Sequence, residues 1–152
     1  MNNIANFDFK NKKTLIRVDF NVPLGENNKV TDTSRIIAAI PTIKRVISSG
    51  GIAILISHLG RPKGKKNLRH SLSNIQKDLE KLLHKSVAFI DDCIGSKVER
   101  FIYKQTAGSV ILLENLRFYN QEESGDLEFA KKLSRLADVY INDAFGTAHR
   151  LH

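Results

Sequence analysis

Ile52-Ala53-Ile54-Leu55-Ile56-Ser57 contains five consecutive apolar residues, with no polar residue between them. Successive side chains of a strand point to opposite faces, so such a run needs apolar cover on both sides. A strand of this kind belongs in a parallel sheet enclosed by helices. Further runs rich in branched apolar residues occur at Leu15–Phe20, Val87–Ile90, Val110–Leu113 and Val139–Asn142. Each is rich in Ile, Val or Leu and reads as a doubly covered strand.

Amphipathic segments separate these runs. Ile36, Ile40, Ile43 and Ile47 form one helical stripe, and Leu72, Ile75, Leu79 and Leu82 form a second. Val98, Phe101 and Ile102 form a shorter third; Leu127, Ala130, Leu133, Leu136 and Ala137 form a fourth. Thr33 or Ser34 is placed to cap the first helix, Gly50-Gly51 to close it, and Ser71 to open the second. Pro41 lies inside the first stripe, where loss of an N–H predicts a kink or break between Ile40 and Thr42. Alternation of strand and helix predicts an α/β fold: three αβα layers around a mainly parallel, Rossmann-like sheet with right-handed crossovers. No linker or internal repeat divides residues 1–152, so one domain is expected.

Composition narrows the functional classes. Hydrophobic residues at 41% and charged residues at 26% fit a globular chain rather than a disordered or membrane-spanning one. Residues 1–13 hold no apolar signal-like core, and Cys93 is the single cysteine, which together predict a cytoplasmic protein without disulfides. The formal charge of +8 attracts anions but does not select among nucleic acid, acidic membrane and small phosphorylated acids.

Charge placement is more informative. Arg17, Asp19 and Asn21 end the first strand; Ser57, His58 and Arg61 follow the second; Glu114, Asn115 and Arg117 follow the fourth; Asp143, Thr147, His149 and Arg150 follow the last. Open α/β sheets bind ligands at that carboxyl edge. His58, Arg61, Arg117 and Arg150 are therefore expected on a common rim, with Arg35 reaching in from the first helix. Guanidinium groups donate paired hydrogen bonds to carboxylate and phosphate oxygens, so this rim is a candidate anion site. Asp19 would accept a bond from a ligand hydroxyl or orient a neighbouring arginine.

Bland readings compete with each assignment. Arg17 lies inside an apolar strand and is as readily a paired structural charge; His58 alone could be a hydrogen-bonded structural histidine. Gly60-Arg61-Pro62-Lys63-Gly64-Lys65-Lys66 lacks P-loop spacing and the Ser or Thr after Lys. It is read, with Arg69, as a solvated basic loop without interleaved aromatics for stacking bases. His149 and His152 lack further ligands, so no protein-held metal is expected. Asp91-Asp92 is read as a helix-start pair, and Cys93 beside these acids as unreactive.

Five blocks resemble the phosphoglycerate kinase family. They are Arg17-Val18-Asp19-Phe20-Asn21-Val22-Pro23; Arg35-Ile36 with Pro41-Thr42-Ile43; Ser57-His58-Leu59-Gly60-Arg61-Pro62-Lys63-Gly64; Leu113-Glu114-Asn115-Leu116-Arg117-Phe118; and Asn142-Asp143-Ala144-Phe145-Gly146-Thr147-Ala148-His149-Arg150. The resemblance implies a two-domain glycolytic kinase moving a phosphoryl group between 1,3-bisphosphoglycerate and ADP. This chain would be a partial amino-terminal, 3-phosphoglycerate-binding domain. Asp19 and Asn21 would meet the hydroxyl and carboxylate end, His58, Arg61, Arg117 and Arg150 would hold the 3-phosphate, and Arg35 would face the phosphoryl group in flight. Arg17 would give support.

The family's nucleotide-binding domain has no counterpart in residues 1–152. Mg2+ and ATP or ADP are thus expected on that missing carboxyl-terminal domain, with none held here, and the chain alone is expected to be inactive. A monomer that binds neither nucleic acid nor membrane is expected. Two other readings stay open: a binding module for phosphorylated acids without catalysis, and a basic nucleic-acid-binding domain.

Overall fold

The computed structural model describes residues 6–144. Five strands, β1 (Lys13–Arg17), β2 (Ile52–Ile56), β3 (Ala88–Ile90), β4 (Val110–Leu113) and β5 (Val139–Asn142), form one sheet in the order β3-β4-β2-β1-β5. All neighbours are parallel, with Lys13 opposite Ile52 and Thr14 opposite Val139. The helices are α1 (Ser34–Ser48), α2 (Gln76–Leu83), α3 (Ser96–Tyr103), α4 (Asn120–Ser124) and α5 (Leu127–Ser134).

Strand alternation builds two cores. Ile16, Ala53, Leu55, Val110, Leu112 and Ile141 pack with Ile36 and Ile43 of α1 and Leu79 of α2. Leu15, Ile54, Ile56, Ile111 and Leu113 turn the other way, toward Val98 and Ile102 of α3 and Phe129 and Leu133 of α5. All five β2 residues are buried, so both faces of this central strand are covered. Each such Ile or Leu contributes about 1.5–3 kcal/mol by leaving water.

The first strand spans Lys13–Arg17, not Leu15–Phe20. Its neighbours pair with it no further than Ile56 and Asn142. Val18 and Phe20 remain buried at 2% and 0% exposure, which explains why their alternation looks strand-like. The second and third strands likewise lack Ser57 and Val87 at their ends.

α1 runs through Pro41 without a break. Pro41 and Ile37 are exposed, so water can satisfy the Ile37 carbonyl whose helical donor is missing. Thr33 occupies the N-cap position but supplies no side-chain cap; Asp32 Oδ1 instead accepts from Ser34 N at 2.9 Å. Gly50, at φ +86°, ends the helix and donates to Ile47 O at 3.1 Å. Ser71 Oγ accepts from Ser73 N at 3.1 Å, starting a 3-10 turn that leads into α2. Leu83 takes the fully inward position of that stripe, while Leu82 is partly buried.

α5 departs furthest from its expected stripe. Asp126 Oδ1 caps it by accepting from Phe129 N at 3.0 Å, and the resulting register buries Phe129. Leu127 is 77% exposed and Ala130 is also outward. The polar helix α4 has no apolar stripe and was not anticipated. Nor do Asp91 and Asp92 start a helix: Gly95 is the N-cap residue of α3, and Asp92 Oδ1 accepts from Cys93 N and the Tyr119 hydroxyl, both at 2.7 Å.

The α5 register has a direct test. Phe129→Ala should destabilise the protein by about 3–5 kcal/mol; Leu127→Ala should stay within about 0.5 kcal/mol of the parent. Urea unfolding followed by circular dichroism measures both.

Candidate functional site

The connections place the rim at a fork. The chain leaving β1 and β2 runs to the α1 and α2 layer, whereas that leaving β3 and β4 runs to the α3 and α5 layer. Since β2 lies beside β4, their loops diverge from adjacent strand ends. Ligand crevices in open α/β sheets form where connections part in this way. His58 and Arg61 follow β2, and Arg117 follows β4, so they flank the fork.

Asp19 and Asn21 organise the loop after β1. Arg35 Nη1 lies 3.2 Å from Asp19 Oδ1 and 2.8 Å from Asn21 O, with half of its side chain exposed. Asn21 Oδ1 accepts from Gly60 N at 2.8 Å and joins this loop to the one carrying His58 and Arg61. Gly60 adopts φ +61°, and a Cβ there would run into the His70 ring. Glycine is required on both counts. Arg61 is exposed.

Buried polar groups brace these loops. Ser57, 1% exposed, accepts from Phe20 N at 3.0 Å through Oγ. Glu114, 4% exposed, accepts from Ser71 Oγ at 2.7 Å and from Leu72 N and Asn115 N, each at 2.8 Å. Three donors satisfy a carboxylate that burial would otherwise penalise.

Arg17 and Arg117 have acidic neighbours from α4. Arg17 Nη2 lies 2.5 Å from Glu122 Oε1, and Arg117 Nη1 lies 3.4 Å from Glu123 Oε1. Glu122 is far less exposed than Glu123, so the first is a structural ion pair and the second is readily displaced. Arg117 Nε is buried without a hydrogen-bond partner among the described residues. Sequence inspection overlooked both glutamates because α4 carries no apolar repeat that would orient it. Arg150, Thr147 and His149 lie outside the described residues, as does the His149–His152 pair.

His58 senses this environment. Partial burial, then the Arg117 and Arg17 guanidinium groups, lower its pKa from 6.5, opposed by Asp19 and Glu122. The imidazole is neutral at pH 7 in the free site. Cys93, 1% exposed, has its thiol pKa pushed far up by burial and then by Asp92, which leaves it unreactive.

A cavity of about 520 Å³ lies elsewhere, between α5 and the β1 and β5 side of the sheet. Leu15, Ile56, Phe129 and Leu133 dominate its wall, and it meets the rim only at Arg17 and Glu122. An apolar chamber with one already paired arginine does not suit a polyanion.

Among the described residues, no three His, Cys, Asp or Glu side chains group as a metal shell. The Gly60–Lys66 loop folds back instead of opening as a phosphate cradle: Gly64 N bonds Arg117 O at 3.3 Å. No helix among the described residues is long and apolar enough to cross a membrane.

Fold and rim together define a doubly wound, parallel α/β protein with cationic loops at the carboxyl edge of its sheet. The family model for Phosphoglycerate kinase matches residues 4–152, and the chain belongs to that family. It is 57% identical over 146 residues to a phosphoglycerate kinase of Dictyoglomus turgidum, covering 95% of this chain and 36% of the relative. Against that of Borrelia hermsii it is 52% identical over 149 residues, covering 98% and 38%. Solved phosphoglycerate kinases from Coxiella burnetii and Pyrococcus horikoshii OT3 superpose with TM-scores of 0.81 and 0.84, at 37% and 32% identity. They match over 96% and 95% of this chain, and 36% and 37% of their own. The chain thus spans little more than a third of these relatives' length.

His58 offers a pH test. A histidine whose folded pKa is depressed binds protons more readily when unfolded, so stability should fall as pH drops from about 6.5 toward the folded value. In Arg117→Met the His58 titration, followed by NMR of the ring, should move upward.

Proposed function

We propose that this chain is the acid-substrate half of a phosphoglycerate kinase. It binds 3-phosphoglycerate or 1,3-bisphosphoglycerate at the rim, while nucleotide and magnesium are held by the part of the family's length that residues 1–152 do not cover. What supports this reading is that the loops carrying His58, Arg61 and Arg117 leave the adjacent ends of β2 and β4, while the Asp19–Arg35 pair stands on the neighbouring β1 side. Family membership supplies the substrate class.

The ligand is a small organic acid with a phosphate ester, which alone carries roughly −1.5 to −2 charge. Arg117 has an unused buried N–H, an exposed neighbouring glutamate and a backbone fixed on both sides. It would take the ester phosphate with Arg61 and Arg150. His58 would gain a proton as that phosphate arrives, because a dianion beside the ring offsets the burial and the arginine repulsion that lower its pKa. Asn21 and Asp19 would meet the carboxylate and hydroxyl end.

A carboxylate acceptor is ionised at neutral pH and needs no general base. The chain's residues therefore contribute alignment and charge stabilisation only. Arg35, held by Asp19 and the Asn21 carbonyl yet half exposed, would face the phosphoryl group in flight. Arg17, committed to Glu122, would support the loop.

In calorimetry 3-phosphoglycerate should bind the chain more tightly as pH falls from 7.5 to 6.5 (roughly the ordinary histidine range), and His58→Gln should flatten this slope. The chain alone should not form ATP from 1,3-bisphosphoglycerate and ADP. Mixed with a separately made nucleotide-binding half of the Dictyoglomus turgidum relative, it should. In that assay Arg35→Ala should lower kcat by about 100-fold with little change in KM, and Arg61→Ala should chiefly raise KM. Tight binding without any restored turnover would favour a stand-alone phosphorylated-acid module.

A further inference from the structure

Asn115 sits at the fork and is 1% exposed. Its Oδ1 accepts from Leu59 N at 3.2 Å and Arg117 N at 2.9 Å. Its Nδ2 donates to Leu59 O and His70 O, each at 2.8 Å. Both amide hydrogens and both acceptor directions are used, so the carboxamide is fully satisfied. Glu114 Oε1 also bridges the two connections, at Leu72 N and Asn115 N, but Asn115 is the side chain that bonds the backbone of Leu59, next to His58, and of Arg117 itself. One loop carries His58 and Arg61; the other carries Arg117.

These bonds reach the residues flanking the cations. Leu59 lies between His58 and Gly60, and its N–H and C=O are both held. Gly60 is in turn fixed by Asn21 Oδ1 and packed against His70, whose carbonyl is the remaining Asn115 contact. Glu114 holds the Asn115 backbone N–H and the start of the 3-10 turn before α2. Backbone bonds from Leu116 N to Ser57 O at 3.0 Å and from Gly64 N to Arg117 O at 3.3 Å also join the loops, which run on to opposite helix layers; Asn115 adds the side-chain brace at Leu59, in the stretch between those two bonds.

We propose that Asn115 is a positioning residue, which sets the separation of His58 and Arg61 from Arg117 and thereby matches the crevice to one compact phosphate. Asn115 touches no substrate; its effect passes through the two loops. Serine cannot span both partners, and aspartate would turn an acceptor oxygen toward the Leu59 and His70 carbonyls while losing both donors. The assignment rests on the acid-binding function proposed above for its kinetic consequence, but the geometric claim can be read without ligand.

The test uses the whole 152-residue chain in three forms: the parent, Asn115→Ser and Asn115→Asp, with Val46→Ala in the α1 core as a control for lost stability. All are held at a temperature where circular dichroism shows the parent spectrum. In ligand-free Asn115→Ser, the His58 ring should titrate closer to the ordinary histidine value, because Arg117 is no longer held near it; Val46→Ala should leave that titration in place. Amide exchange in the parent should show Leu59 and Arg117 protected together, and in Asn115→Ser both should exchange faster. Binding of 3-phosphoglycerate should weaken about tenfold in Asn115→Ser, and in the complemented assay KM should rise with kcat little changed.

Unaltered His58 titration and unaltered Leu59 and Arg117 exchange in folded Asn115→Ser would overturn the proposal. Loss of the folded spectrum in both Asn115 variants at every temperature would also overturn it, by assigning the residue to folding alone. If the parent fails to bind 3-phosphoglycerate while the ligand-free shifts occur, the positioning role stands and the substrate assignment falls.

Discussion

A parallel sheet sends every strand out at the same edge, and that constraint governs this protein. Five strands with one polarity all end at one edge of the sheet, whatever their separation along the chain. The β2 strand makes the arrangement possible because all its side chains are buried, tying the two helix layers to a common centre. With β4 on one side and β1 on the other, β2 sets the positions from which His58 and Arg117 project.

Delivery to one edge is insufficient for binding. Loops from β1 and β2 fold toward one layer and those from β3 and β4 toward the other, so the rim tends to open at the β2 and β4 boundary. Buried polar contacts oppose this: Asn21 to Gly60, Ser57 to Phe20, Glu114 to Ser71 and Leu72, and Asn115 across the gap. Such groups contribute little net stability when satisfied but impose a large penalty when a partner is lost. They make the geometry specific rather than the fold strong. The arginines can then remain partly unsatisfied, as Arg117 Nε does, because the backbone carrying them is fixed.

Much of the fold was legible in the sequence because doubly buried strands leave a strong mark. The runs at 52–57 and 110–113 needed no partner to be recognised. Strand order was not legible, since side-chain burial says that β2 is central but not which strand lies beside it. The α5 register was misjudged because Leu127 and Phe129 both fit a helical stripe; a side-chain cap at Asp126 selected Phe129. Pro41 was expected to interrupt α1, yet the carbonyl it deprives of a donor faces water. For the rim, the cations could be named from their positions after strands, while Glu122 and Glu123 could not. They lie on a single polar turn, and only three-dimensional packing brings them to Arg17 and Arg117.

The central claim concerns where a phosphorylated acid lies, and a crystal structure of the chain soaked with 3-phosphoglycerate addresses it most directly. The ester phosphate should lie between the His58–Arg61 loop and Arg117, accepting from Arg117 Nε, with Glu123 turned away into solvent. Density for the acid in the apolar chamber under α5, or at the opposite edge of the sheet, with the rim arginines unchanged, would contradict the account.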